Sequence, residues 1–148
     1  MKRVIPYLFL LLLVPACTEV TLVQPQSGPP TISFISIEPT IVKEFTDSIT
    51  IRIKYQDPDG DLGSEDPDLE LLTIQDLRLQ DADGYHVALL APPDSKVSIS
   101  GELEIYLKNT FLLGTADQEI TSYELIMTDR AGNKSNPMAT DQITIVRN

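Results

Sequence analysis

The stretch SITIRIKYQ, residues 48–56, constrains the fold more than any other part of the chain. Ile49, Ile51, Ile53 and Tyr55 alternate with Thr50, Arg52, Lys54 and Gln56. Successive side chains of a strand point to opposite faces, so this period of two sends the apolar set into a core and the polar set into water. A half-buried strand is expected here, with Ile51 and Ile53 in the core.

Weaker versions of the same rhythm run from Thr31 to the C-terminus. In TISFISIEP, Ile32, Phe34 and Ser36 fall on one face and Ser33, Ile35 and Ile37 on the other, so partial cover on both faces is expected. LELLTIQDLRLQD reads as mostly strand through Leu71, Thr73, Gln75, Leu77 and Leu79, although Leu69, Leu72 and Leu79 fit a helix about as well. Asp81-Ala82-Asp83-Gly84 then predicts a hairpin turn through its Asp-Gly pair, because Gly84 takes positive φ without cost. YHVALLAP would return as a strand and end at Pro92-Pro93, which cannot donate to a ladder. Val97, Ile99, Leu103, Ile105 and Leu107 continue the pattern as one bulged strand or two short ones around Ser100-Gly101. SYELIMTD and DQITIVRN close the chain as two strands. About seven short strands separated by turn signals predict an all-β fold, an antiparallel β-sandwich.

The last thirty or so residues carry a resemblance. Asp129, Ala131, Gly132, Asn133 and Ser135 match the D-x-A-G-N-x-S turn of bacterial immunoglobulin-like domains, and Tyr123 sits where such domains often keep a tyrosine. The resemblance implies an immunoglobulin-like sandwich over 31–148, in which the Tyr123 hydroxyl bonds back to backbone.

Before Thr31 the chain has another character. Met1, Lys2 and Arg3 are followed by an apolar run from Tyr7 to Val14 and by Val14-Pro15-Ala16-Cys17. That is the layout of a secretory signal peptide, too short to remain as a membrane-spanning helix of about 20 residues. Cys17, the only cysteine in the chain, directly follows it. This resembles the lipobox of bacterial lipoproteins, with Pro15 as a departure from the usual pattern. The resemblance implies removal of 1–16 and a covalent lipid on Cys17. Two or three acyl chains, at about 0.8 kcal/mol per buried CH₂, anchor a small domain firmly. Residues 17–30, rich in Pro, Gly and polar groups, read as a flexible tether. The expected location is the cell envelope, lipid-anchored at the outer membrane on its periplasmic or surface face.

Without 1–16 the chain keeps 132 of its 148 residues, enough for one domain, and nine Lys and Arg against 22 Asp and Glu, a formal charge of −13. That balance repels phosphates and speaks against nucleic acid as a partner. Tryptophan is absent, which removes the commonest platform for stacking sugar rings.

The chemistry-bearing candidates gather in one loop, YQDPDGDLGSEDPD. Asp57, Asp59 and Asp61 alternate, with Gly60 and Gly63 among them, and Glu65, Asp66 and Asp68 follow. Calcium takes six to eight oxygens, and alternating aspartates in a tight glycine-bearing loop can wrap several carboxylates around one ion. Leu62 stands where an EF-hand requires glycine, so this is not an EF-hand. The D-x-D-G-D-x-G string is similar to that of small secreted lipoproteins of the Bacteroidetes type. Two other readings stand beside calcium. One is a hydrated turn without metal, since Asp and Gly are what turns prefer. The other is that Asp57 or Asp61 bonds neighbouring backbone N–H groups. Zinc and copper do not suit a chain whose only imidazole is His86 and only thiol Cys17.

His86 lies in a strand-like run without a nucleophile motif nearby, and neither a phosphate loop nor a cofactor fingerprint occurs. Catalysis is not expected. The expectation is a membrane-anchored, non-enzymatic binding or interaction module, calcium-stabilised, with an unknown protein or glycan partner. The alternatives are an accessory subunit of an envelope complex and a glycan-binding protein for nutrient capture.

Overall fold

The structure, a computed structural model, describes residues 27–148 except Asn109. The expected signal peptide, the expected lipidation site Cys17 and the expected tether up to residue 26 lie outside the described residues. Of the tether, 27–30 are described, and Pro30 is already buried.

The described residues are all-β in three sheets, β-sandwich-like and without a helix. The first sheet has the order β1-β3-β6, from Thr31–Glu38, Ile49–Asp57 and Ile99–Leu107. The second runs β5-β4-β8-β9, from Asp83–His86, Glu70–Asp76, Tyr123–Met127 and Met138–Ala139. A third joins β2, β10 and β7, from Ile41–Lys43, Ile143–Val146 and Gln118–Thr121. Ten strands thus stand where about seven were expected, because β2, β7 and β9 are too short to show a period. One ladder also departs from the antiparallel expectation: β2 and β10 run parallel.

A single core joins all three sheets. Ile49, Ile51 and Ile53 of β3, Leu125 and Met127 of β8 and Ile145 of β10 are fully buried in it. The alternation in SITIRIKYQ therefore gives the correct faces. Elsewhere bulges overrule it. In β1 the register with β3 shifts between Phe34 and Ser36, so the face changes and Ile32 and Ile37 both enter the core while Ile35 is exposed. In β4 a shift between Glu70 and Leu72 turns both Leu71 and Leu72 inward. The expected face through Thr73, Gln75, Leu77 and Leu79 is thereby corrected. Ile74 is the buried residue, Thr73 is exposed, and Leu77 and Leu79 lie beyond the strand on an exposed turn.

The hairpin between β4 and β5 exists, but its turn is not at Asp83-Gly84. Both residues are in β5, opposite Ile74 and Thr73, and residues 77–82 make the connection. A Cβ on Gly84 would meet the side chain of Glu70, which would have to shift. The returning strand stops at His86. β6 is one strand without a bulge, paired with β3 from Leu107 to Ile99. Gly101 lies opposite Tyr55, and a Cβ would meet the tyrosine ring and hydroxyl at 2.7 to 3.1 Å. The last two long strands are not neighbours. β8 pairs with β4 and β9, whereas β10 joins the third sheet.

Candidate metal centre

The acidic stretch leaves β3 at Asp57 and reaches β4 at Glu70. Two glycines and a leucine set its path. Gly60 and Gly63 have φ of 74° and 80°, where other residues are strained. Each is also pressed against backbone: a Cβ on Gly60 would collide with the carbonyl of Val97, and one on Gly63 with that of Ala88. Leu62, between them, is fully buried in the core. The Leu90 N–H donates to the Leu62 carbonyl (3.2 Å) and the Ser64 N–H to that of Val87 (2.8 Å), which ties the loop to the segment after β5.

These anchors turn three carboxylates toward one another. One ligand oxygen each from Asp57, Asp59 and Asp61 lies within 4.8 Å of the others. Oxygens on opposite sides of a calcium ion, each at 2.3 to 2.6 Å, stand about 5 Å apart, so a single ion reaches all three. Among the described residues this is the only convergence of three or more Asp, Glu, His or Cys side chains.

Asp57 is fully buried, and its Oδ2 accepts the Leu62 N–H (3.2 Å). Asp61 Oδ2 accepts the Ala131 N–H (3.1 Å). Backbone bonding by Asp57 and Asp61 thus holds for one oxygen of each. The Oδ1 atoms of Asp57, Asp59 and Asp61 are buried without any hydrogen-bond donor. A buried carboxylate oxygen without a donor disfavours the charged form. Burial, with the Asp59 carboxyl beside it, pushes Asp57 up to about 6. Asp61 is raised as well, by burial first and then by the charges of Asp129 and Asp59. A proton or a cation relieves this strain, and a donor set made only of carboxylate oxygens suits a hard cation such as calcium.

The turn after β8 supports the cluster from the far side. Asp129, itself buried, accepts the Asn133 N–H on Oδ1 (2.7 Å) and the Asn133 side-chain amide on Oδ2 (2.8 Å). Gly132 takes φ 89° there, and Ser135 Oγ accepts the Met127 N–H (3.0 Å). These bonds explain each position of the D-x-A-G-N-x-S string except Ala131, whose N–H goes to Asp61. The Arg130 N–H donates to the Asp61 carbonyl (3.2 Å). Its guanidinium donates to the carbonyls of Gly63 (2.9 Å) and Pro93 (3.1 Å), clamping three loops together. Tyr123 donates its hydroxyl to no described residue, contrary to the expected corner, and burial pushes it up to about 12.

Glu65, Asp66 and Asp68 do not join the cluster. They are exposed, and the Asp66 N–H donates to Ser64 Oγ while the Asp68 N–H donates to Asp66 Oδ1, both at 3.0 Å. The first half of the loop converges on a point and the second half is a solvated turn. Leu62 divides them, and an apolar residue inside an acidic run is the signal that marks the division. Arg130 was not legible as part of this site, since it looks like an ordinary turn residue until the fold brings it near.

Sequence reasoning also missed a second carboxylate centre at the other end of β8. Arg78 bonds Asp76 through Nε (3.0 Å) and Nη2 (2.6 Å) and Glu119 through Nη1 (2.6 Å). Thr121 Oγ1 donates to Asp76 Oδ1 (2.5 Å). Arg78 also stacks over Phe111, 5.9 Å from its centroid, and Phe111 stacks on Phe45 at 6.4 Å. The chain matches no family model, no curated protein and no solved structure.

Proposed function

We propose that this chain is a lipid-anchored, non-enzymatic binding module of the bacterial cell envelope, immunoglobulin-like in type, whose loop-bearing end is fixed by calcium. The observation that carries the reading is the convergence of Asp57, Asp59 and Asp61 with three buried oxygens that lack donors. The loops around them are already tied together by Arg130, so an ion there stiffens a surface rather than serving a reaction. The lipobox-like start of the chain, ending at Cys17, supplies the anchor.

Calcium binding is tested on the chain from residue 17 onward carrying Cys17→Ser, by calorimetry and by melting with and without chelator. A metal that binds only the folded state adds about 2.7 kcal/mol at a hundred times Kd. Millimolar calcium should raise Tm, and Asp59→Asn with Asp61→Asn should abolish the rise; an unchanged Tm rejects the calcium centre. Anchoring is tested on the full chain in a bacterial host: Cys17→Ala should move it out of the membrane fraction. Retention of the mutant chain there would reject the lipid.

A second reading, an accessory subunit of an envelope complex, is favoured by the third sheet. Ile41 and Ile120 flank Thr144 in register and both are exposed, at 65% and 57%. Recovery of the chain from mild detergent as a lone monomer would count against it.

A further inference from the structure

The three aspartates do not surround an ion evenly. Asp57 closes the inner side, fully buried at the end of β3. Asp59 and Asp61 also line an open cleft of ≈ 770 Å³, with Pro93, Asp94, Lys96 and Arg130 around it. Asp57 Oδ2 and Asp61 Oδ2 are already engaged by backbone N–H groups. That leaves Oδ1 of Asp57, Oδ1 of Asp61 and both oxygens of Asp59, about four of the six to eight that calcium takes. The cleft is the side from which further oxygens have access to Asp59 and Asp61.

From this we infer that the cation is a ligand-binding group as well as a structural one: it takes a carboxylate of an acidic peptide segment of a partner, entering through the cleft. This inference rests on the calcium reading above.

The electrostatics of the cleft make the binding conditional. Asp57, Asp59, Asp61 and Asp94 oppose Lys96 and Arg130, so without a cation the site is net negative and repels a carboxylate. A dication neutralises it and offers a positive point at its floor. Lys96 makes no ion pair among the described residues, and its ammonium remains for the incoming charge. Arg130 has N–H donors beyond those given to the carbonyls of Gly63 and Pro93. The negative charge of the chain as a whole is screened beyond about 8 Å at physiological ionic strength, so the local balance decides. Among the described residues no aromatic ring lines the cleft, so their lining lacks the stacking surface a sugar ring uses, and a peptide fits it better than an acidic glycan.

The test uses the chain from residue 17 onward with Cys17→Ser, and three probes: a short oligoglutamate peptide, oligolysine and oligogalacturonate. Calorimetry with each is run in calcium and in chelator. Oligoglutamate should bind at least tenfold more tightly in calcium, and by linkage the peptide should raise calcium affinity by the same factor. Lys96→Gln should weaken the peptide severalfold. If calcium alone raises Tm but oligoglutamate binds equally with and without it, the inference fails and the structural calcium centre stands. If calcium has no effect on Tm, both fail together. Binding of oligogalacturonate in place of oligoglutamate would overturn the peptide assignment, and binding of oligolysine would show that the cleft stays acidic.

Discussion

Asp76 is packed at the Tyr123 end of β8 and the Asp57 cluster at the Met127 end, and the two ends treat withdrawn carboxylates in opposite ways. At the first, an arginine fork, a threonine hydroxyl and a second carboxylate complete one network. Burial alone pushes Asp76 up, but the hydrogen bonds from Arg78 and Thr121 outweigh it and hold the group below the usual carboxylate range. At the second, Arg130 gives its guanidinium to the carbonyls of Gly63 and Pro93 and Lys96 makes no ion pair among the described residues, so the Oδ1 atoms of Asp57, Asp59 and Asp61 are left without a donor. Asp57 rises to about 6 as burial and Asp59 dictate. A centre built for stability carries its own counter-charge. The other leaves three buried carboxylate oxygens without a donor.

The largest effect should come from breaking the completed network. Arg78→Ala leaves Asp76 and Glu119 without their partner, with the Asp76 and Arg78 side chains only 10% and 13% accessible. A loss of about 3 kcal/mol is expected by urea denaturation, near the value for breaking a buried pair. A loss below about 1 kcal/mol would place this network among ordinary surface ion pairs.

The corresponding change at the other end should have an effect whose sign depends on calcium. In chelator, Asp57→Asn removes a buried charge and keeps an oxygen to accept the Leu62 N–H, so Tm should rise by a few degrees. In calcium the same variant loses a ligand, and it should lose up to about 2.7 kcal/mol relative to the parent at a hundred times Kd. The same sign in both media would break the comparison.

Acidity distinguishes the centres in a further way. Asp76 is lowered, so it binds fewer protons folded than unfolded, and its stabilisation is present above its ordinary value and lost as pH falls below about 4. Asp57 is raised, so in chelator its contribution is greatest below about 4 and lost as pH rises toward about 6. Chemical denaturation of the chelated chain across this range, with Asp57→Asn as reference, should show the second trend vanish in the variant. The smallest effect belongs to a pair at neither end. Arg52 meets Glu104 at 3.1 Å on the open face of β3 and β6, each side chain nearly half accessible. Glu104→Gln should change stability by less than about 0.5 kcal/mol.

The amino-acid sequence by itself determined the all-β character, the faces of β3 and the place where acidic groups concentrate. These follow from period-two alternation and from local turn chemistry, which act within a few residues and need no partner strand. The sequence also contained the whole turn after β8, because the bonds from Asp129 to Asn133 and from Met127 to Ser135 close within eight residues. Only the tertiary structure decided which half of the acidic loop converges, since Leu62 must first find the core and Gly60 and Gly63 their close neighbours. It decided the faces of β1 and β4 too, because a bulge is fixed by the partner strand's register and leaves no mark on the period until it has shifted it. Arg78 and Glu119 meet across 41 residues, and Ala131 reaches Asp61 across 70. Contacts of that span have no local signal, so the difference between a satisfied carboxylate and an unsatisfied one is settled where distant strands end beside each other.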